Sequence, residues 1–180
     1  MRRLILLAAA VVALALSLSV AFAGRASTPG VTSTSILLGG TAPLTGPEAA
    51  YAPVARGAQA YFAYVNAHGG VFKRKITYKV LDDAYDPSKT VQATRQLVQQ
   101  DGVFAIFNSI GTEHVLAVRQ YLNAVGVPQL FVGSGADVIA RQRGKYKWTM
   151  GYLPSFSGEG AIYGRYIAKH LKGTTIGVLY

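Results

Sequence analysis

Apolar residues along this chain come in short runs separated by stretches with helical spacing, and the two patterns alternate. Ser35–Gly40 is a compact apolar run and reads as a buried strand. In Ala52–Asn66 the apolar positions Val54, Ala58, Tyr61, Phe62 and Val65 recur as on one face of a helix, which His68-Gly69-Gly70 ends. Lys75–Asp82 alternates Ile76, Tyr78 and Val80 with Thr77, Lys79 and Leu81, a strand pattern. Pro87 opens a helix to about Gln100, with Val91, Thr94, Leu97 and Val98 inward. Val103–Phe107 is again a buried strand, Thr112 or Gly111 begins a helix through Ala124, and Gly126-Val127-Pro128 leads into the strand Gln129–Val132. Lys147–Gly151 is a further strand, Ser157–Leu171 a helix with Ile162, Tyr166 and Ile167 inward, and Thr174–Tyr180 a final strand. Repeated βα units with fully apolar strands predict an α/β fold built on a doubly wound parallel sheet.

Three strand-to-helix loops in this order are small and polar: Thr41–Tyr51 (TAPLTGPEAAY), Asn108–His114 (NSIGTEH) and Gly133–Asp137 (GSGAD). In an open parallel sheet they meet at the carboxyl ends of the strands, where ligands bind beside the reversal of strand order. Glycine allows close backbone approach, Ser and Thr add hydroxyls, and helix N-termini offer free N–H groups. The loops suit the binding of something small and carry no reactive constellation.

The amino terminus changes the compartment. Arg2 and Arg3 precede the apolar run Leu4–Val20, and Ala21-Phe22-Ala23 precedes Gly24, the layout of a secretory signal peptide over residues 1–23. A retained anchor is the competing reading, because the run approaches spanning length. The well-placed cut site and the Gly/Ser/Thr/Pro-rich tail of residues 24–34 favour cleavage and export to the periplasm or beyond. The absence of cysteine excludes disulfides, thiolate metal ligands, a cysteine nucleophile and a lipidated cysteine anchor. The formal charge is +10, falling to +8 once Arg2 and Arg3 leave with the leader. Its basic residues are dispersed, Lys73-Arg74-Lys75 being the densest group, so a solvated surface fits better than a nucleic-acid partner. A chain stopping in the unpaired apolar strand Thr175–Tyr180 reads as a fragment of a longer protein.

The residues also carry a family resemblance. Pro43–Gly46 forms a PLTG-like segment, with Tyr51 a few residues later. A helix of Ala-Tyr-x-x-Tyr-Val-Asn type ends in Ala67–Gly70, and Asp82-Asp83-Ala84-Tyr85-Asp86-Pro87 leads into a Lys–Thr-Val-x-Ala helix. Together with Val127–Ala136 (VPQLFVGSGA) these segments resemble the type I periplasmic substrate-binding proteins of branched-chain amino acid ABC transporters, over about Ser33 to Tyr180. The resemblance implies a two-lobed clamshell that closes on a ligand and hands it to a membrane permease. It implies a first lobe over residues 35–153 and, over 154–180, the hinge crossing and first helix and strand of a truncated second lobe. It also implies ligand contacts at Gly111 and Thr112, at Gly135, Ala136 and Asp137, and at Tyr51. Ile110-Gly111-Thr112-Glu113 departs from the serine-rich form of the third-strand loop, so a leucine-like preference does not carry over.

The chemistry of these residues agrees with the outline. A carboxylate at the start of the Thr112 helix would meet unpaired N–H groups and the positive end of the helix dipole, worth about 0.3–1 kcal/mol per interaction when exposed. Thr112 suits both a hydroxyl donor to that group and an ordinary helix cap. Asp137 suits an acceptor for an ammonium or a cap for the short turn after it, and Tyr51 suits a stacking surface or a plain structural tyrosine. His114 adjoins the loop and is placed to support it. Trp148 is placed near the hinge. Asp82, Asp83 and Asp86 read as turn chemistry ahead of Pro87 rather than a metal site. His68, His114 and His170 lack metal-ligand spacing, so no metal or other cofactor is expected. There is no Walker-type or dinucleotide loop, and Ser109 has no G-x-S-x-G setting, so an enzyme is not expected. The expected partners are a small ligand (amino acid, amide or small carboxylate) and an ABC transporter permease. A ligand-sensing module of the same fold acting on a receptor is the alternative.

Overall fold

A computed structural model of the chain describes residues 28–178, so the leader reading and the first residues of the tail lie outside the described residues. In chain order the elements are β1 (Ser35–Ala42), a 3₁₀ turn (Ala49–Tyr51), α1 (Ala52–Ala67), β2 (Lys75–Asp82), α2 (Pro87–Gln99), β3 (Ala105–Phe107), α3 (Thr112–Val125), β4 (Gln129–Val132), α4 (Asp137–Arg141), β5 (Thr149–Gly151) and α5 (Phe156–His170). The five strands form one parallel sheet in the order β2-β1-β3-β4-β5. Strand order reverses at β1, so the switch point lies between the carboxyl ends of β1 and β3.

Local chemistry explains the boundaries. Asp86 caps α2 by accepting from the Ser88 N–H at 2.7 Å, with Pro87 in the first turn. Gly126 ends α3 in the left-handed conformation and returns its N–H to the Leu122 carbonyl. β1 runs two residues beyond the expected Gly40, because Thr41 and Ala42 continue the ladder with Leu81 and Asp82. β3 starts later than expected: the Val103 N–H turns back to the Leu97 carbonyl. Strand pairing in β5 starts at Thr149 rather than Lys147, since the Trp148 N–H goes to the Asn123 side chain.

The core has two faces. On one, Leu97 of α2 and Val118 and Leu122 of α3 close over Val103 and Ile106. Full burial of side chains such as Leu97, Ile106 and Leu122 stabilises by about 1.5–3 kcal/mol each. On the other face, Phe62 of α1 packs on Leu38 and Ala105 and meets the Tyr78 and Phe107 rings edge-on at 5.5 and 5.2 Å. The buried stripe of α1 is rotated from the expected one. Ala52, Ala55 and Phe62 face inward, whereas Val54 and Tyr61 face solvent.

Two expectations near the carboxyl end are corrected. Residues 174–178 form no strand; parallel pairing needs a neighbouring edge, and none of the described strands pairs with them. The α5 side chains expected inward, Ile162 and Tyr166, are exposed, because no described element packs on that face. The helix is instead anchored at its start, where the Phe156 N–H donates to the Gly135 carbonyl at 2.8 Å. Trp148, at the start of the β5 segment, is half exposed.

Candidate functional site

Beyond β3 and β4 the backbones stay zipped together. Gly133 donates to the Ser109 carbonyl at 2.8 Å, and Gly111 donates to the Gly133 carbonyl at 3.2 Å. This parallel bridge extends the sheet into the two polar loops. It brings Thr112 Oγ1 to 2.7 Å from Ser134 Oγ, although the residues are 22 apart in sequence. Ser134 Oγ also accepts from the Ala136 N–H at 3.1 Å, which shapes the entry to α4. Gly111, Thr112, Gly135 and Ala136 therefore share one rim. The first β-strand joins it from behind, where the buried Thr41 hydroxyl donates to Ser109 Oγ at 3.1 Å.

Gly111 sits at φ +103°, a backbone state that side chains rarely adopt, immediately before α3. The N–H groups of Thr112 and Glu113 have no intrahelical acceptor, so the helix dipole opens onto the rim. Gly111 is also pinned from below: a Cβ there would lie 2.3 Å from His114 Nδ1. His114 is buried, and neither ring nitrogen has a hydrogen-bond partner. Its ring lies 4.3 Å from that of Tyr85. Tyr85 in turn stacks on Tyr51 at 6.0 Å, with the planes 20° apart. Tyr51 is 46% exposed and joins the rim only through this aromatic column.

Asp137 opens α4 and is engaged through one carboxylate oxygen. The nearby Ser157 hydroxyl, Arg141 at 3.2 Å from Oδ2 and the neighbouring Ser155 hold its carboxyl below the usual range, while Oδ1 is buried without a hydrogen-bond partner. A cavity of about 360 Å³ lies on this side of the rim. Gly135, Ala136, Asp137, Met150, Leu153 and Ser155 line it, whereas Tyr51, Gly111 and Thr112 do not. The six expected site residues thus fall into a central rim and two flanks.

The acidic cluster does turn chemistry. Asp82 Oδ1 accepts from the N–H groups of Leu44, Thr45 and Ala84 at 2.9, 3.3 and 2.9 Å, and Oδ2 accepts from the Thr45 hydroxyl at 2.5 Å. The Thr45 hydroxyl is the largest influence holding the Asp82 carboxyl below its ordinary range. Asp83 accepts from the Tyr85 N–H and the Thr90 hydroxyl. Every one of these contacts shapes loops, and no group of three His, Cys, Asp or Glu among the described residues could hold a metal. Sequence reasoning did not single out Ser134 or Tyr85. The GSGAD loop held the signal for Ser134; Tyr85 was quoted only within the acidic motif.

The periplasmic binding protein family matches residues 35–180. A Leu/Ile/Val-binding protein homologue of Brucella melitensis is 31% identical over 165 residues, covering 90% of this chain and 44% of the relative. The chain therefore spans less than half the length of that relative. Among solved structures, the branched-chain amino acid transporter substrate-binding protein of Streptococcus pneumoniae in complex with isoleucine superposes with a TM-score of 0.70 at 21% identity, over 77% of this chain and 39% of its own. A fatty acid ABC transporter substrate-binding protein of Thermomonospora curvata gives 0.68 at 25% identity, over 80% and 36%. The parallel sheet, its strand order and these likenesses agree, and the chain belongs to the periplasmic binding protein family, with the type I fold.

Proposed function

We propose that residues 35–153 form the first lobe of an exported substrate-binding protein that captures a small carboxylate, an amino acid foremost, and delivers it to an ABC transporter permease. Residues 154–180 are the crossing into a second lobe. The observation that carries this reading is the Thr112–Ser134 rim, where two loops and an open helix N-terminus converge. Thr112 and the first N–H groups of α3 hold the carboxylate, and the Gly135 and Ala136 carbonyls, each already accepting one bond, offer their second lone pairs to the ligand's other polar end. Asp137 balances an ammonium from the flank. Tyr51 covers the apolar part. The similar structures carry names that include isoleucine and fatty acid, and both of those ligands present a carboxylate. The rim holds no nucleophile paired with a base, which favours binding over catalysis.

The test is calorimetric titration of the protein as its own cells produce it, with isoleucine as first probe and a panel of small carboxylates beside it. Thr112→Val removes one hydrogen bond to the ligand and the bond to Ser134, so affinity drops about threefold to tenfold while stability falls by only about 1 kcal/mol. Unaltered affinity for every binding carboxylate removes Thr112 from the site.

A further inference from the structure

At the end of the sheet where strands begin, opposite the polar loops, α1 and β2 are joined by a tight turn. Val71 and Arg74 pair across it, and Phe72 and Lys73 between them have φ of +48° and +66°. Two successive left-handed residues define the turn that Asn-Gly or Gly-Gly ordinarily occupy. Here a bulky aromatic and a lysine hold those places, at a cost in backbone strain that packing does not return, since Phe72 is 88% exposed.

The chain on either side of the turn is basic or neutral, and the one acid bonded to it among the described residues, Asp101, is paired with Lys79 at 2.7 Å. Arg74 Nε donates to the Thr32 carbonyl at 2.9 Å, and Lys75 Nζ donates to the Asn66 carbonyl, so two cations are tied down beside the tip. The Gly70 Cα packs closely on the Arg74 carbonyl and braces the turn from below. Residues 49–81 contain five Lys or Arg and no Asp or Glu. The last turn of α1 adds the exposed Tyr64, stacked on His68 at 4.2 Å.

We propose that this turn is a docking prong for an anionic lipid surface, with Phe72 entering the headgroup boundary and Lys73, Arg74 and Lys75 meeting the lipid charge. A convex tip with one apolar ring has no groove for a peptide to fill, while a bilayer accepts it at any point. The flanking cations match an anionic leaflet, and Tyr64 at the end of α1 suits the interface. Docking there leaves the polar loops, at the other end of the strands, open to an incoming ligand, and delivery to the permease requires the tip to leave the lipid surface.

Vesicle flotation of the protein as its own cells make it tests the proposal, with vesicles of phosphatidylglycerol and phosphatidylcholine against phosphatidylcholine alone. Phe72→Asn with Lys73→Gly converts the turn to the favoured Asn-Gly form, so the fold is kept or strengthened. The ring contributes about tenfold and the cation about fivefold to partitioning, so the double variant loses about fiftyfold on anionic vesicles with an equal or higher unfolding midpoint. Phe72→Trp partitions more strongly than wild type. Any leader contribution is common to all variants and cancels in the ratios. Equal partitioning of wild type and double variant, or no wild-type preference for the anionic vesicles, overturns the proposal.

Discussion

The contact between Gly111 and His114 offers a stringent test of how the rim is built. Gly111→Ala imposes two separate penalties. One is the backbone state at φ +103°, which disfavours a Cβ by about 1–3 kcal/mol. The other is steric: the new methyl lies 2.3 Å from His114 Nδ1, over 1 Å inside ordinary contact, and overpacking of this kind costs about 1–3 kcal/mol. The single variant therefore loses about 2–6 kcal/mol. In a His114→Ala background the steric part disappears and the backbone part remains. The double-mutant cycle should then show a favourable coupling of about 1–3 kcal/mol. His114→Ala alone opens space but also removes two buried, unpartnered nitrogens, and its own effect cancels from the cycle. Urea unfolding of the full chain, followed by Trp148 fluorescence and by circular dichroism, measures all four stabilities where the two signals coincide. Additivity within about 0.5 kcal/mol would refute the steric argument and place the His114 ring elsewhere.

Two further predictions concern β1 and the end of β2. Gly40→Ala puts a methyl 2.3 Å from Tyr78 Oη and 2.7 Å from the Phe107 carbonyl, breaking the 2.9 Å bond between them. The stability loss is about 2–4 kcal/mol by urea unfolding, and the phenol, whose pKa burial pushes up, becomes easier to ionise on alkaline spectrophotometric titration. Asp82 has a folded-state pKa below its ordinary 3.8, so its contribution is fully present above 3.8 and fades as pH falls through the folded value. Asp82→Asn should flatten the acid limb of the stability profile and speed amide exchange at Leu44 and Thr45. An unchanged acid limb and unchanged exchange would argue against the Asp82 contacts.

Much of the fold was legible in the residues because the strongest signals are periodic. Leu97 and Leu122 fall on helix faces, and Val103–Phe107 reads as buried whichever way its ends are drawn. What escaped has specific causes. α4 spans only five residues, too short for a 3.6-residue period to declare itself, and its start depends on a Ser134 hydroxyl bond. The α1 stripe was misplaced by one residue because Ala55 and Ala52, small and weakly apolar, sit against the sheet while larger Val54 and Tyr61 do not. At the site, the loops were found because strand ends gather them. The pairing of Thr112 with Ser134 depends on the β3–β4 register, and the route from Tyr51 through Tyr85 to His114 crosses three elements. No spacing in the chain encodes either.

The zipped backbone beyond β3 and β4 has a thermodynamic consequence. Ser109, Gly111 and Gly133 hold both loops in place through main-chain bonds that exist before any ligand arrives. Under the proposed function, a ligand seated on this rim orders little of the chain around it, so the entropy lost on binding is borne by the ligand itself. Such a surface acts as a fixed template, with amide exchange in the two loops nearly the same free and bound. On that proposal, preference among related ligands arises in parts of the protein that move to meet them.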